Sequence, residues 1–255
     1  MGIRSLLVKP IARFIVNRNQ KWINDPVNSQ LKILNELVSK AKKTQYGKAH
    51  GFDKINDYET FKKSIPIADY EDLAPYIEKI KTGESDVLWP GKPLYFAKTS
   101  GTTSGTKYIP ITKASIPYHI NAARDALFNY VAETGKANFF DKKLIFLSGS
   151  PEIEKKNGIY IGRLSGIVNH HIPGWLRSNQ MPSYSTNCME DWEAKVDKIV
   201  EETLPENMSL ISGIPPWVQM YFDKIQAKTG KKIKDVFPDF SVFVYGGVNF
   251  EPYKA

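Results

Sequence analysis

The sequence predicts an α/β fold in which an N-terminal helical segment is followed by alternating strands and helices. Three observations carry this reading. Up to about Pro90, apolar residues recur at helical spacing between start and stop signals. Beyond Pro90, short apolar runs alternate with amphipathic stretches. Each of those runs ends in a Gly- or Ser-rich turn, a pattern that argues for parallel strands joined by helices. With 255 residues the chain can bury a substantial core, as one large domain or two small ones.

The first element is a basic amphipathic helix. Leu6, Leu7, Ile11, Phe14 and Ile15 recur at helical spacing, with Arg4, Lys9, Arg13 and Arg18 between them. The expectation is that this apolar face docks on its own domain; the alternative is a membrane-surface or targeting role. The segment lacks the unbroken apolar run of a signal peptide, and Leu6 stands where a myristoylation signal needs Ser or Thr. Asp25 and Pro26 start a second helix with Leu31, Leu34, Leu37 and Val38 on one face, and Gly47 lies beyond its end. Two short helices follow, broken at Pro66, the second capped by Asp69 and stopped at Gly83.

After Pro90, "PLYFAK" reads as a strand running into a glycine–hydroxyl loop, and "KYIPIT" resumes extended structure. Thr112 caps a helix carrying Ile116, Ile120, Ala123, Leu127 and Val131. "KKLIFLSG" is a buried strand. "MSLISGIPPWVQMYFDKIQAKTG" gives a strand, a Pro-Pro helix start and an amphipathic helix closed by Gly230. "FSVFVYGG" is a further apolar strand ending in paired glycines. Ligands of such sheets gather beyond the carboxyl ends of the strands. Three ends qualify: "KTSGTTSGTK", "SGIPPW" and "YGGVNFEPY".

Composition sets limits on the function. Hydrophobic residues at 42% and charged residues at 24% are ordinary globular values. No stretch approaches the roughly 18 consecutive apolar residues of a membrane span. The net charge of +8 suits an anionic ligand, but the basic residues are scattered. No aromatic–basic stripe or reading motif points to nucleic acid. The single cysteine, Cys188, excludes an internal disulfide framework and fits a reducing, cytoplasmic setting. Four histidines at non-ligand spacings give no structural zinc site, and no metal ligands are assigned.

The stretch Thr99–Lys107, "TSGTTSGTK", carries the most chemistry. Glycines let backbone N–H groups close around a phosphate, hydroxyls add donors without bulk, and a lysine supplies charge. A Walker loop is excluded, because three residues separate Gly101 from Gly105 and Thr106 precedes Lys107. The G-x-G-x-x-G fingerprint is absent. Taken alone, the stretch reads either as a phosphate loop or as a flexible Ser/Thr/Gly hairpin.

"TSGTTSGTK" resembles the phosphate loop of the adenylate-forming superfamily, which includes acyl-CoA synthetases, luciferases and peptide-synthetase adenylation domains. Thr106 replaces the usual proline before the lysine, and Ser104 takes a common glycine position. Together with "SGIPPWV" and "FVYGGVNFEPY", the loop closely resembles the Gretchen-Hagen-three branch, the auxin-responsive acyl acid–amido synthetases, which have bacterial as well as plant members. The lead-in, with "YGKAHGF", "FKKSIPIADYEDLAPYIEKI" and "GESDVLWPGKPLYFAKTSGTT", is similar to that family in order and spacing. The likeness therefore covers nearly the whole chain, with a bacterial-type character.

The resemblance implies that ATP and Mg²⁺ activate a carboxylic acid as an acyl-adenylate, which an amine, commonly an amino acid, then attacks to give an amide. It implies that Ser100, Gly101, Thr102, Thr103 and Ser104 cradle the β,γ-phosphates, with Lys107 as a supporting charge. It places Gly246, Gly247, Val248 and Asn249 at the adenine edge. Arg124 could pair with a substrate carboxylate or be a structural arginine. The stretch from Gly162 to Trp175, with His170 and His171, could line the acyl pocket or pack a core. No catalytic residue is assigned.

The resemblance also implies an incomplete domain. Residues 1–90 are expected as a helical lead-in packed on the same domain, and 91–255 as the truncated α/β nucleotide-binding part. The C-terminal domain is absent, so this chain is expected to be an inactive N-terminal fragment. The alternatives are a phenylacetate-type acyl-CoA ligase, making a thioester, and a non-catalytic nucleotide-binding module. Neither nucleic acid nor stable membrane insertion is expected.

Overall fold

The computed structural model describes residues 2–99 and 105–253. In chain order the first elements are α1 (Ile3–Asn24), α2 (Pro26–Ala41), α3 (Gln45–Ala49), α4 (Tyr58–Ser64), α5 (Tyr70–Lys81), β1 (Tyr95–Thr99), β2 (Lys107–Ile111) and α6 (Ile116–Thr134). Next come β3 (Lys143–Phe146), β4 (Glu154–Lys156), β5 (Ile159–Arg163), α7 (Leu164–His170), α8 (Gly174–Arg177), β6 (Gln180–Met181) and α9 (Tyr184–Asn187). The last are α10 (Trp192–Thr203), β7 (Met208–Ser212), α11 (Pro215–Thr229), α12 (Ile233–Val236) and β8 (Val242–Val244). This is the mixed α/β architecture with N-terminal helices that the sequence predicts.

The chain divides into two compact units. The first comprises Met1–Val16, Ala123–Glu152 and Ser165–Ala255. Its sheet has the order β6-β3-β7-β8, and every pairing is parallel. Parallel strands are covered on both faces, so they read as continuous apolar runs. β7 follows this rule, with Met208, Ser209, Leu210 and Ile211 all buried. Successive side chains point to opposite faces, and the core divides accordingly. Ile145 and Ile211 pack with Val196, Ile199, Val200, Val218, Tyr221 and Ile225 of α10 and α11. Leu144 and Leu210 pack instead with Phe128, Val131, Phe139 and Phe140, and with Val8, Ala12 and Ile15 of α1.

The face that α1 buries differs from the expected one. Ser5, Val8, Ala12 and Ile15 are buried, whereas Leu6, Leu7, Ile11 and Phe14 are exposed. Small residues let the helix approach closely, so the buried stripe is not the most apolar one. The N-terminus of α1 is fixed by Asp141, whose carboxylate accepts from Gly2 N at 2.7 Å and Ser5 N at 3.2 Å. An anion at a helix N-terminus satisfies free N–H groups and complements the helix dipole. Burial alone would raise the Asp141 pKa, but hydrogen bonds from Ser5, Gly2 and Arg4 outweigh it and lower it. A depressed carboxyl stabilises the fold above its unfolded value near pH ~4, and that stability is lost as pH falls through the folded value. Asp141→Ala is expected to cost about 1 kcal/mol at pH 7 and to flatten the acid limb of a stability-versus-pH series. Equal acid sensitivity in both proteins would refute this role.

The second unit comprises Asn17–Ala122 and Ile153–Leu164. Its helices follow their signals. Asp57 and Asp69 form capping boxes on α4 and α5, and α2 begins at Pro26. The face of α2 is again only partly covered, since Val38 is buried and Leu31 and Leu37 are exposed. Its sheet has the order β2-β1-β5-β4 and is mixed, which departs from the parallel expectation. β1 pairs β5 in parallel, but β1 with β2 and β4 with β5 are antiparallel hairpins. The reason is connection length. A parallel crossover needs about a dozen residues or more, and neither loop supplies them. At the β4–β5 turn, Asn157 and Gly158 both take positive φ, at 50° and 84°, as a tight two-residue hairpin turn requires. The core of the unit gathers Ile77, Ile80, Val87, Phe96, Ile159 and Ile161.

Candidate functional site

The glycine–hydroxyl loop spans the tip of the β1–β2 hairpin. The ladder runs from Tyr95↔Ile111 to Thr99↔Lys107, so the chain leaves and re-enters the sheet at a paired position. Ser100, Gly101, Thr102, Thr103 and Ser104 lie outside the described residues. Gly105 has φ 80°, a conformation that glycine adopts without strain.

Lys107 opens β2, and α5 holds it. The Asp69 capping box fixes the first turn of α5, which carries Tyr70 and Glu71. The Lys107 ammonium lies 3.6 Å from Glu71 Oε1 and 4.9 Å from the Tyr70 ring centre. Tyr70 Oη accepts from Tyr108 N at 2.8 Å, which pins the start of β2. The Glu71 side chain is largely exposed, so this ion pair contributes under about 1 kcal/mol. Lys107 can therefore turn to a phosphate at little cost. On β1, Lys98 donates to Glu154 Oε1 at 2.6 Å, and that hydrogen bond lowers the Glu154 pKa.

In the other unit, two carboxyl ends of the parallel sheet lie side by side. Gly213 N, after β7, donates to Val244 O of β8 at 3.2 Å. Gly246, Gly247, Val248 and Asn249 form an exposed turn beyond β8. Gly247 has φ 86°, and a Cβ there would come within 3.2 Å of Ile214 Cγ2. Asn249 Oδ1 accepts from Glu251 N at 3.2 Å, and the Tyr245 and Phe250 rings stack at 4.4 Å. The turn is thus exposed and is flanked in the chain by an aromatic pair.

Arg124, on α6, has its guanidinium committed. Nε and Nη2 both donate to Asp125 Oδ1, at 2.8 and 2.6 Å. To pair with a substrate carboxylate it would exchange one carboxylate for another. Lys107 belongs to one unit, whereas Arg124 and Gly246–Asn249 belong to the other.

Of the stretch Gly162–Trp175, Asn169 and His170 line a cleft of about 530 Å³ together with Arg177, Gln180, Ser183 and Tyr184. His170 Nε2 lies 2.7 Å from the Pro151 carbonyl, so Nε2 carries the proton and donates. Burial, with the neighbouring His170, lowers the His171 pKa. The floor of the cleft includes Asn187, which is buried and whose Oδ1 has no hydrogen-bond partner among the described residues. Glu202 accepts from Ser183 N and Ser183 Oγ, both at 2.7 Å, and from Thr186 Oγ1 at 2.5 Å. Burial would raise its pKa, but these bonds prevail and lower it. Sequence reasoning missed Tyr70 and Glu71 beside Lys107, and Arg177, Tyr184 and Asn187 of this cleft. Their residue types are common, and only the tertiary fold assembles them.

A comparison with protein families matches the GH3 family N-terminal domain over residues 16–181 and 155–255. The chain belongs to the GH3 family. Among GH3 relatives, the indole-3-acetic acid-amido synthetase GH3.2 of Arabidopsis thaliana is 32% identical over 34% of this chain and 16% of its own length. The jasmonoyl–L-amino acid synthetase JAR4 of Nicotiana attenuata is 25% identical over 68% of this chain and 32% of its own length. A solved GH3.15 acyl acid amido synthetase superposes with a TM-score of 0.59 at 16% identity, covering 77% of this chain and 34% of that one. That likeness establishes the shared GH3 fold. This GH3 chain spans about a third or less of the length of the relatives it matches. Among the described residues no helix is long and apolar enough to cross a membrane.

Proposed function

We propose that this chain is the nucleotide-holding part of an ATP-dependent acyl acid–amido synthetase. The observation that carries the reading is the Ser100–Thr106 loop, closed at its base by the Thr99↔Lys107 pair, within a GH3 family chain. The substrate carboxylate attacks the α-phosphorus of ATP and pyrophosphate leaves. An amine, commonly an amino acid, then displaces AMP to form the amide. The loop residues Ser100, Gly101, Thr102, Thr103 and Ser104 hold the β,γ-phosphates, and Lys107 adds charge as the leaving group develops. Holding two anionic reactants in line supplies much of the acceleration. Gly246, Gly247, Val248 and Asn249 take the adenine edge. Mg²⁺ would enter with the nucleotide and offset charge on its phosphates.

The test is ATP–pyrophosphate exchange by this chain and by a version extended to the length of the plant relatives, against a panel of aryl and alkyl carboxylic acids. The extended form is expected to exchange in a Mg²⁺-dependent manner and to consume an amino acid in preference to coenzyme A. Consumption of coenzyme A alone would move the reading to an acyl-CoA ligase. No exchange by either form, with folded protein and the full panel, would leave a nucleotide-binding module in its place.

A further inference from the structure

The outer face of α1 is apolar, cationic at its margins and uncovered. At roughly 100° per residue, Ile3, Leu6, Leu7, Pro10, Ile11 and Phe14 fall within one arc of about 140°, opposite the buried Ser5, Val8, Ala12 and Ile15. The large side chains of that arc are open to solvent: Ile3 78%, Leu6 57%, Leu7 61%, Ile11 48% and Phe14 68% exposed. Lys9 and Arg13 border the arc on one side and Arg4, whose Nη2 donates to Ser178 Oγ at 3.0 Å, on the other. From Ile3 to Asn24 the helix contains no aspartate or glutamate.

We propose that this face of α1 binds the surface of an anionic lipid bilayer. An interfacial helix needs three things, and α1 has each. One is an apolar stripe that sinks to the acyl boundary. Another is a set of long cationic side chains at its edges, which reach phosphate headgroups while their stems stay apolar. The third is a fixed attachment to the protein. Val8, Ala12 and Ile15 supply it from the opposite face, together with the Asp141 cap at the N-terminus. Charge complementarity selects the occupant. A second copy docked face to face would bring Arg4, Lys9 and Arg13 against their own like charges, whereas an anionic surface neutralises them. The helix lies on the bilayer and does not span it.

The test is flotation of the 255-residue chain with vesicles of phosphatidylcholine containing phosphatidylglycerol, and with vesicles of phosphatidylcholine alone. Binding is expected to the anionic vesicles, weakened at high salt. It should fall roughly tenfold or more in Leu7→Glu/Phe14→Glu and in Lys9→Glu/Arg13→Glu. All four positions are outside the buried stripe, and circular dichroism should report an unchanged fold. Absence of binding, equal binding to both vesicle types, or binding indifferent to these changes would overturn the proposal. Concentration-dependent dimers lost in Leu7→Glu/Phe14→Glu, without vesicle binding, would assign the face to a second copy. Binding lost in the version extended to full family length would assign it to the remainder of the protein.

Discussion

In the extended protein, Ser100→Ala combined with Thr103→Ala is expected to lower ATP–pyrophosphate exchange by about 10²–10³-fold without changing thermal unfolding. On the proposed reading, each hydroxyl removed would forfeit a hydrogen bond to a charged oxygen, worth about 1.5–3 kcal/mol. These bonds strengthen as charge builds on the leaving group, so the loss should appear in the rate more than in nucleotide affinity. The β1–β2 ladder fixes the base of the loop, so the sheet should not sense the substitution. Thr103→Ser keeps the hydroxyl and should retain most activity. Lys107→Ala should cost about tenfold, because the ammonium already shares its charge with Glu71 and any gain from phosphate is a difference between two partners. An exchange rate within threefold of the parent for the double variant would remove the loop from the reaction.

Local signals in the sequence translated directly into structure, because each is decided within one or two helical turns. Asp69 caps α5 with a reciprocal box, Pro215 opens α11, and Gly230 closes it in the left-handed conformation. The Asn157–Gly158 pair is an equally local signal that the sequence reading left unused, and it forms the tight turn of the β4–β5 hairpin. The glycine–hydroxyl stretch is equally conspicuous in composition, but Ser100–Ser104 lie outside the described residues. What stayed hidden depends on distant partners. The face that α1 buries is chosen by fit against Phe128, Val131 and Phe140, and Ser5 and Ala12 win it over larger apolar residues because they are small. Likewise, nothing near Lys107 in the chain shows that Tyr70 and Glu71 hold it. Hydrophobic periodicity finds a helix, but it cannot say which stripe faces inward when both are apolar.

Lys195 shows the same limit and gives the largest stability effect expected of a single change. The spacing of α10 places it on the face that also carries Val196, Ile199 and Val200, and it is only 2% exposed. Its ammonium donates to Ser148 O at 2.9 Å, just beyond β3, and to Asn187 O at 2.6 Å, at the end of α9. The Trp192 ring centre lies 5.9 Å away. Taking a lysine out of water is expensive, and these charge-assisted bonds offset that cost while they tie two loops to the helix. Lys195→Met keeps most of the volume and removes the desolvation cost, which favours the variant. Against that, it leaves two carbonyls without this donor in a packed interior, each worth about 1–3 kcal/mol when unsatisfied. The second effect should win, because the Asn187 carbonyl is buried and the part-buried Ser148 carbonyl sits just beyond a packed strand. A net loss of about 3 kcal/mol is expected, a change of more than a hundredfold in the folded ratio, read as a lower urea midpoint at an unchanged slope. Asn187 also lines the cleft with His170, so hydrogen exchange should quicken at the end of α9 as well. An unfolding free energy within about 0.5 kcal/mol of the parent, by contrast, would mean that water replaces the ammonium and that the buried charge contributes nothing net to stability.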